Sequence, residues 1–355
     1  SEHDVYRLNY DCELRGNQIL AREAVTTTAS VIDATHTMLS TSDRPIQASQ
    51  RMVMDDNHFA GDLTVSSRPL LYGHLSGQLV SNDFPARSSA LQTTRASGNY
   101  FGASVSGSRA IRAETDISTN FETVRVQSDA TVNKLVGDLT GSAGVHLVSS
   151  STADGSVCDV RVSDNEIVMG PSSSPTYAVL AEFDAPNGRG SIAFTNNNLL
   201  ANGAFSPSSA LQANGYFNNV LFDGNQLRGM DNNVQSFSGG FVANLNSNLP
   251  LQATFSNNVV RHVSVDNALF ADITTTDSSD QSSFSATNNH FRGLQISGDA
   301  LYATMTLGGS ATVCGTLSGN TFLYTSNTGA TIGGDLEYYQ AAGDEFTVTG
   351  TPCMP

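Results

Sequence analysis

Apolar and polar residues alternate over short runs of four to six positions along the whole chain. That is the period-two pattern of strands. No stretch carries a 3.6-residue apolar stripe with caps, so the pattern predicts almost no helix. Turn-forming clusters separate the runs, among them PSSSP, DAPNGRG, NSNLP and TTTDSSDQSS.

The runs repeat. One phrase reads apolar, two small or polar residues, Asn, any residue, apolar. It is centred on Asn17, Asn57, Asn82, Asn99, Asn165, Asn197, Asn225, Asn258, Asn289 and Asn320, with weaker Asp copies at Asp129 and Asp344. From Asn165 to Asn320 the spacings are 32, 28, 33, 31 and 31. A second phrase follows each Asn phrase, as in VIDAT near Ile32, PLLYG near Leu71, ALQTT near Leu91, AIRAE near Ile111, GVHLV near Val145 and ALFAD near Leu269. A period of this size marks a solenoid, propeller or array. Three short strands in about 30 residues are too few for a propeller blade, and the Leu-dense frame of leucine-rich repeats is absent. The pattern therefore predicts an all-β chain: one right-handed parallel β-helix of about eleven three-strand coils, stacked at roughly 4.8 Å. The expected divisions are an end segment over 1–16, the helix over 17–345 and an end segment over 346–355.

The Asn has a physical reason. A tight bend between strands needs a residue tolerant of left-handed backbone angles, and Asn is second only to Gly. Its amide can also donate to and accept from the Asn of adjacent coils, as in stacked Asn ladders. Gly or Asn often precedes it: Gly16, Gly98, Gly224, Gly319, Asn196, Asn257 and Asn288. These Asn are expected to be structural. Phe59, Phe84, Phe101, Phe291 and Phe322 fall two residues after the Asn and are expected in the core, whereas Tyr100 and Tyr216 are expected to point outward.

These repeats resemble the right-handed parallel β-helix superfamily, which includes pectate lyases, polygalacturonases, phage tailspikes and adhesin domains. The resemblance runs from Asn17 to Asp344. It implies the fold and leaves the activity open, because enzymes and non-enzymes share it. The motifs that the resemblance would bring to an enzyme are mostly missing. Asp55-Asp56 is the one Asp-Asp pair, Gly73-His74-Leu75 is the nearest approach to Gly-His-Gly, and Lys134 is the sole lysine, so Arg-Ile-Lys cannot occur.

Composition narrows the classes further. The chain has 355 residues, a formal charge of −16, 29 Asn and only 17 Lys plus Arg. That balance disfavours nucleic acid, whose phosphates need cationic patches. No run of 18 apolar residues predicts a membrane span. Ser1-Glu2-His3-Asp4 does not read as a signal peptide and fits a processed chain or a cytosolic chain lacking its initiator Met. A glycosidase needs two carboxylates about 5 to 10 Å apart. Neighbouring coils could bring Asp164 and Glu182 near Asp223, although an acidic solenoid produces such coincidences readily. His58 and His290 share a repeat position many coils apart, so they cannot share a metal. Of four cysteines, Cys158 lies too far from Cys12 and Cys314 to pair, and only Cys314 with Cys353 remains open. No metal or cofactor and no catalytic residue is expected.

The resulting expectation is a non-catalytic structural or adhesive rod, such as a surface protein or phage-tail-like particle component, that binds carbohydrate or a partner chain. The alternative is a polysaccharide lyase or glycoside hydrolase. Expected partners are a polysaccharide or cell-surface glycan, or further copies in a homo-oligomer or particle. The expected location is extracellular, at the cell surface or on a particle, with the unpaired thiols keeping a cytoplasmic location open. A face that clusters two carboxylates with Arg or His would count against a purely structural rod.

Overall fold

The computed structural model describes residues 6–42, 45–82, 88–105, 109–118, 121–137, 139, 143–169, 176–201, 208–229, 236–276, 281–309 and 312–353, excepting the side chains at 40–42, 62, 79–82, 104, 118 and 236. These residues form three parallel sheets of 11, 12 and 11 strands and no helix. The chain visits the sheets in rotation, so each strand pairs with its counterparts one coil before and one coil after. The result is a parallel β-solenoid. We call the sheets by their place around the coil. Strands of the entry sheet, such as Val157–Ser163 and Arg189–Thr195, lead into the repeated Asn. Strands of the exit sheet, such as Glu166–Met169 and Asn198–Ala201, leave it. Strands of the return sheet, such as Tyr177–Asp184 and Ser209–Gly215, close the turn.

The corner between entry and exit sheets is held by a buried ladder of side-chain amides. Asn197 is a representative rung. Its Nδ2 donates to Asn225 Oδ1 and to the Val162 carbonyl, each at 2.9 Å, while its own Oδ1 accepts from the backbone N–H and Nδ2 of Asn165. The same bonds join Asn57, Asn99, Asn133, Asn165, Asn197, Asn225, Asn258, Asn289 and Asn320. Asn17 adds an exposed first rung by donating to Asn57 Oδ1. Asp344 forms the last rung, its Oδ2 accepting from Asn320 Nδ2 at 2.6 Å. A carboxylate can only accept, so it ends the relay.

Two assignments from the repeat pattern are corrected here. Asn82 is the last residue of the return strand Leu71–Asn82, paired with Ser42, and the ladder passes directly from Asn57 to Asn99. Leu91 lies in the entry strand Ser89–Ser97, not in a return strand. Both errors arise in the coil between Asn57 and Asn99, which takes 42 residues against 28 to 34 in the coils from Asn99 to Asn320. A long coil leaves room for a false repeat. The rung passed over is Asn133, in TVNKL; Asp129, four residues earlier, lies in the entry strand Thr123–Thr131.

The left-handed backbone also sits elsewhere than expected. The residue before each ladder Asn adopts positive φ: Gly16, Asp56, Gly98, Val132, Asp164, Asn196, Gly224, Asn257, Asn288 and Gly319. The two jobs are thus divided between neighbours. One residue turns the chain, and the next, with ordinary φ, bonds along the axis.

The core fills the space between the sheets. Phe59 stacks on Phe101 and Phe291 on Phe322, with ring centroids 4.9 and 4.8 Å apart. Phe84 lies outside the described residues. A second stack, Phe194, Phe222 and Phe255, sits three residues before the Asn with centroids 4.8 Å apart. Offset and parallel aromatic pairs add to area burial at such separations. Small residues face these rings from the return sheet: Ala181, Ala213, Ala243, Ala271 and Ala303 occupy one register.

At the ends, Tyr6–Arg15 is a strand of the entry sheet paired with Ile46–Asp55, and Thr347–Thr349 joins the return sheet. A disulfide joins Cys314 to Cys353, with Cα atoms 5.9 Å apart. Cys12 is half-buried and free; Cys158 is buried and free, and burial pushes its thiol up to about 12.

Two stability predictions follow from the corner. Val132 is β-branched, 59% exposed and held at φ 56°. Replacing it with Asn, as three other coils do, should stabilise the protein by about 1 kcal/mol, read as a higher thermal midpoint. An unchanged or lower midpoint would show that Val132 bears no strain. Asn197→Ala removes four side-chain hydrogen bonds and orphans buried partners, so it should cost about 4 kcal/mol. Asn17→Ala, at the exposed rung, should cost less than about 1 kcal/mol. Equal losses at the two positions would refute the ladder's role.

Candidate functional site

Outward positions of the return sheet bring Tyr, Arg, His and Glu side chains of successive coils together. Tyr72, Arg112 and His146 occupy one register position in three successive coils. Two residues along, His74 pairs with Glu114, and Glu182 lies two coils beyond His74's row partner, separated from Glu114 by Val148. The two glutamate backbones are therefore roughly 10 Å apart. The set exists because the second phrase alternates: the residues on either side point into the core and the one between points out. In PLLYG, AIRAE and GVHLV that outward residue is Tyr, Arg and His.

Hydrogen bonds organise the cluster into two pairs. Tyr72 Oη donates to Glu114 Oε2 at 3.1 Å, and Arg112 Nη2 lies 2.8 Å from the same oxygen. The Arg112 guanidinium carbon also sits 5.9 Å from the Tyr72 ring centroid, within cation–π range. Burial, then the Glu114 charge, push the Tyr72 hydroxyl up to about 12, so it stays a neutral donor. In the second pair, His146 Nε2 lies 2.6 Å from Glu182 Oε2. His146 is only 4% exposed. Burial pulls its pKa below the ordinary value, which leaves it neutral near pH 7 with Nε2–H donating to Glu182. The His146 hydrogen bond in turn holds the Glu182 carboxyl low, so Glu182 stays ionised. Arg109 is also drawn in; burial and the Arg112 charge lower its pKa.

Unpartnered buried atoms concentrate here. His146 Nδ1, His74 Nε2, Arg109 Nε and Arg112 Nε are buried without hydrogen-bond partners. Buried polar atoms are nearly always paired, so four in one patch mark an arrangement shaped for more than stability.

A different charged array covers the outer entry sheet near its start. Arg51 bridges Asp11 and Glu13 at 2.8 and 2.7 Å, and Asp55 lies between Arg15 and Arg95 at 3.8 and 3.3 Å. Burial raises the Asp55 carboxyl against the pull of Arg95 and Arg15, and the Asp129 carboxyl against that of Arg161 and Arg95. Opposite charges alternate from strand to strand, which is the favourable cross-strand arrangement. We assign this array to strand pairing.

The residues considered from sequence disperse. Glu182 joins the return-face cluster, whereas Asp164 sits at the left-handed corner and Asp223 at the end of an entry strand, bonded to Ser256 and Asn257. Asp56 is likewise a corner residue, next to buried Asp55. His58 is outward and tilts over Tyr100, centroids 4.6 Å apart; His290 bonds Thr321 at 2.7 Å. Tyr216 is corrected: it packs against the core. No group of three or more His, Cys, Asp or Glu suited to a metal occurs among the described residues, and no helix there is long and apolar enough to cross a membrane. Reading the outward position of successive second phrases would have revealed the cluster from sequence.

Comparison with protein-family models, characterised proteins and solved structures finds no match to this chain.

The His146–Glu182 pair predicts a pH dependence. Because the folded pKa of His146 lies below the ordinary 6.5, its contribution to stability is complete above that value and is lost as pH falls through the lower folded value. The thermal midpoint should therefore drop as pH falls below 6.5, and His146→Asn should flatten that part of the curve. An identical slope in the variant would show that His146 does not govern it.

Proposed function

We propose that this chain is a rigid, right-handed solenoid of about eleven coils that serves as a structural or adhesive rod and binds carbohydrate on its return face. Right-handed crossover between parallel strands is the strong general rule. The observation that carries the reading is the cluster of Tyr72, Arg109, Arg112, Glu114, His146 and Glu182. Two arginines and two glutamates cancel in charge, and the set offers hydroxyl, guanidinium, imidazole and carboxylate groups on a surface that the amide ladder keeps stiff. Such mixed donors and acceptors suit sugar hydroxyls, and an aromatic ring beside them gives a sugar face an apolar contact. The disulfide between Cys314 and Cys353 supports an oxidising, extracellular, cell-surface or particle-associated location.

One observation favours an enzymatic second reading. His146 is a neutral imidazole oriented by Glu182, with Nδ1 unpartnered but buried, the layout of a general base with its orienting carboxylate once a bound chain opens the surface over that nitrogen. Beside two arginines able to hold a uronate carboxylate, it suits proton abstraction in polysaccharide elimination. Glu182, held low, is a poor proton donor, which disfavours glycoside hydrolysis through it.

A glycan array with parallel light scattering tests both readings. The rod predicts retention of one glycan class, unchanged glycan length after incubation, and loss of retention in Arg112→Ala. The lyase predicts shortened polyuronate with new unsaturated ends, abolished by His146→Asn. Glycan binding unaffected by either substitution would remove the return face from the function.

A further inference from the structure

Three arginines stand in register on the outer exit sheet. Arg228 pairs with Arg261 and Arg261 with Arg292 in consecutive coils, each three residues after its ladder Asn. Their backbones are therefore one strand spacing apart, roughly 4.8 Å. Leu227, Val260 and Phe291, one residue earlier, are buried in the core, so the arginines face outward. Arg228 and Arg261 are half-buried and Arg292 is exposed.

What distinguishes this row is like charge stacked on adjacent strands with no counter-charge among the described residues. Arg15, Arg51, Arg95, Arg112 and Arg125 each have a carboxylate within 3.8 Å. Among the described residues, Arg228, Arg261 and Arg292 take part in no ion pair and no side-chain hydrogen bond, and Arg228 Nε is buried without a partner. The chain carries 33 acidic residues, so acids to pair with them are not scarce. Like charges on adjacent strands repel. The fold does not require the charge either, because Val168 and Leu200 hold the same position in the two preceding coils. One coil beyond Arg292 the position is Leu323, followed by Tyr324, which is 83% exposed and held at φ 55°. A repulsive row with no structural compensation, ending in an outward aromatic ring, breaks the local rules in the manner of a binding site.

We infer that this row binds an anionic polysaccharide, carboxylated or sulfated, lying along the solenoid axis. Each guanidinium can grip an acidic oxygen pair through two parallel N–H bonds, and Tyr324 offers a ring face to a sugar at the end of the row. A polyanion with sparse acidic groups fits three cations in a chain of net charge −16. A nucleic acid backbone, with dense phosphate, would meet net repulsion over the rest of the surface. The row lies on a different sheet from the return-face cluster, so the inference stands apart from the reading of that cluster.

The test measures binding of the full chain to hyaluronan, chondroitin sulfate and poly(U) RNA by isothermal titration at low and raised salt. Wild type should bind one or both polysaccharides, with affinity falling as salt rises. Arg292→Ala, at the exposed position, should weaken binding several-fold, and the triple variant Arg228→Ala, Arg261→Ala, Arg292→Ala by more than about ten-fold. The triple variant should melt no lower than wild type, because removing the arginines removes repulsion. Arg125→Ala, an exposed arginine of the entry sheet paired with Asp159 and outside both faces, should bind the polyanion as wild type does. The inference is overturned if wild type binds neither polysaccharide, if the triple variant binds as tightly as wild type, or if poly(U) binds more tightly than both polysaccharides.

Discussion

A buried primary amide that donates and accepts along one axis is the interaction on which the rest of this molecule depends. Strand pairing alone fixes neighbours within each sheet, but the entry and exit sheets meet at an angle and their corner must repeat in every coil. The ladder supplies that repeat. Each rung is closed by backbone and side-chain partners from two neighbouring coils, so a buried polar group that would otherwise be costly becomes a register mark. With the corner fixed, alternation does the rest: the same residues in each coil face the Phe and Ala core, and the intervening residues are left to face outward.

The repeat was legible in the sequence because the ladder has strict chemistry. Few residues combine Asn's size, donor and acceptor, so Asn17, Asn57, Asn99 and the rungs from Asn165 onward stand out. Where the chemistry is loose, reading failed. Coil length is set outside the repeated phrases, and the 42-residue coil after Asn57 accommodated a false rung at Asn82. Asn133 was hidden because the residue before it is Val132, where every other corner has Gly, Asn or Asp. The turning residue can be strained and still fold, since neighbouring coils hold it.

The return-face cluster was hidden for a different reason. Tyr72, Arg112 and His146 are about 40 and 34 positions apart in sequence, and nothing local joins them. They become neighbours only when three coils are laid in register, and register follows from the corner. Glu182 was considered from sequence, but with Asp164 and Asp223, which the coil sends to another face. Side-chain chemistry on a solenoid is therefore a property of columns across coils, and it is read correctly only after the rungs have been placed.

The ladder also has a direction. Every rung donates toward the C-terminal neighbour, so the amide dipoles align head to tail as peptide dipoles do in an α-helix. Their positive end points at Asp344, which places a carboxylate where the column most favours negative charge and where no further acceptor follows. At the opposite end no described residue donates to the Asn17 carbonyl oxygen. The column is thus chemically one-ended: another Asn-bearing coil would find a ready acceptor at Asn17, whereas one added beyond Asp344 would first require that residue to regain an amide.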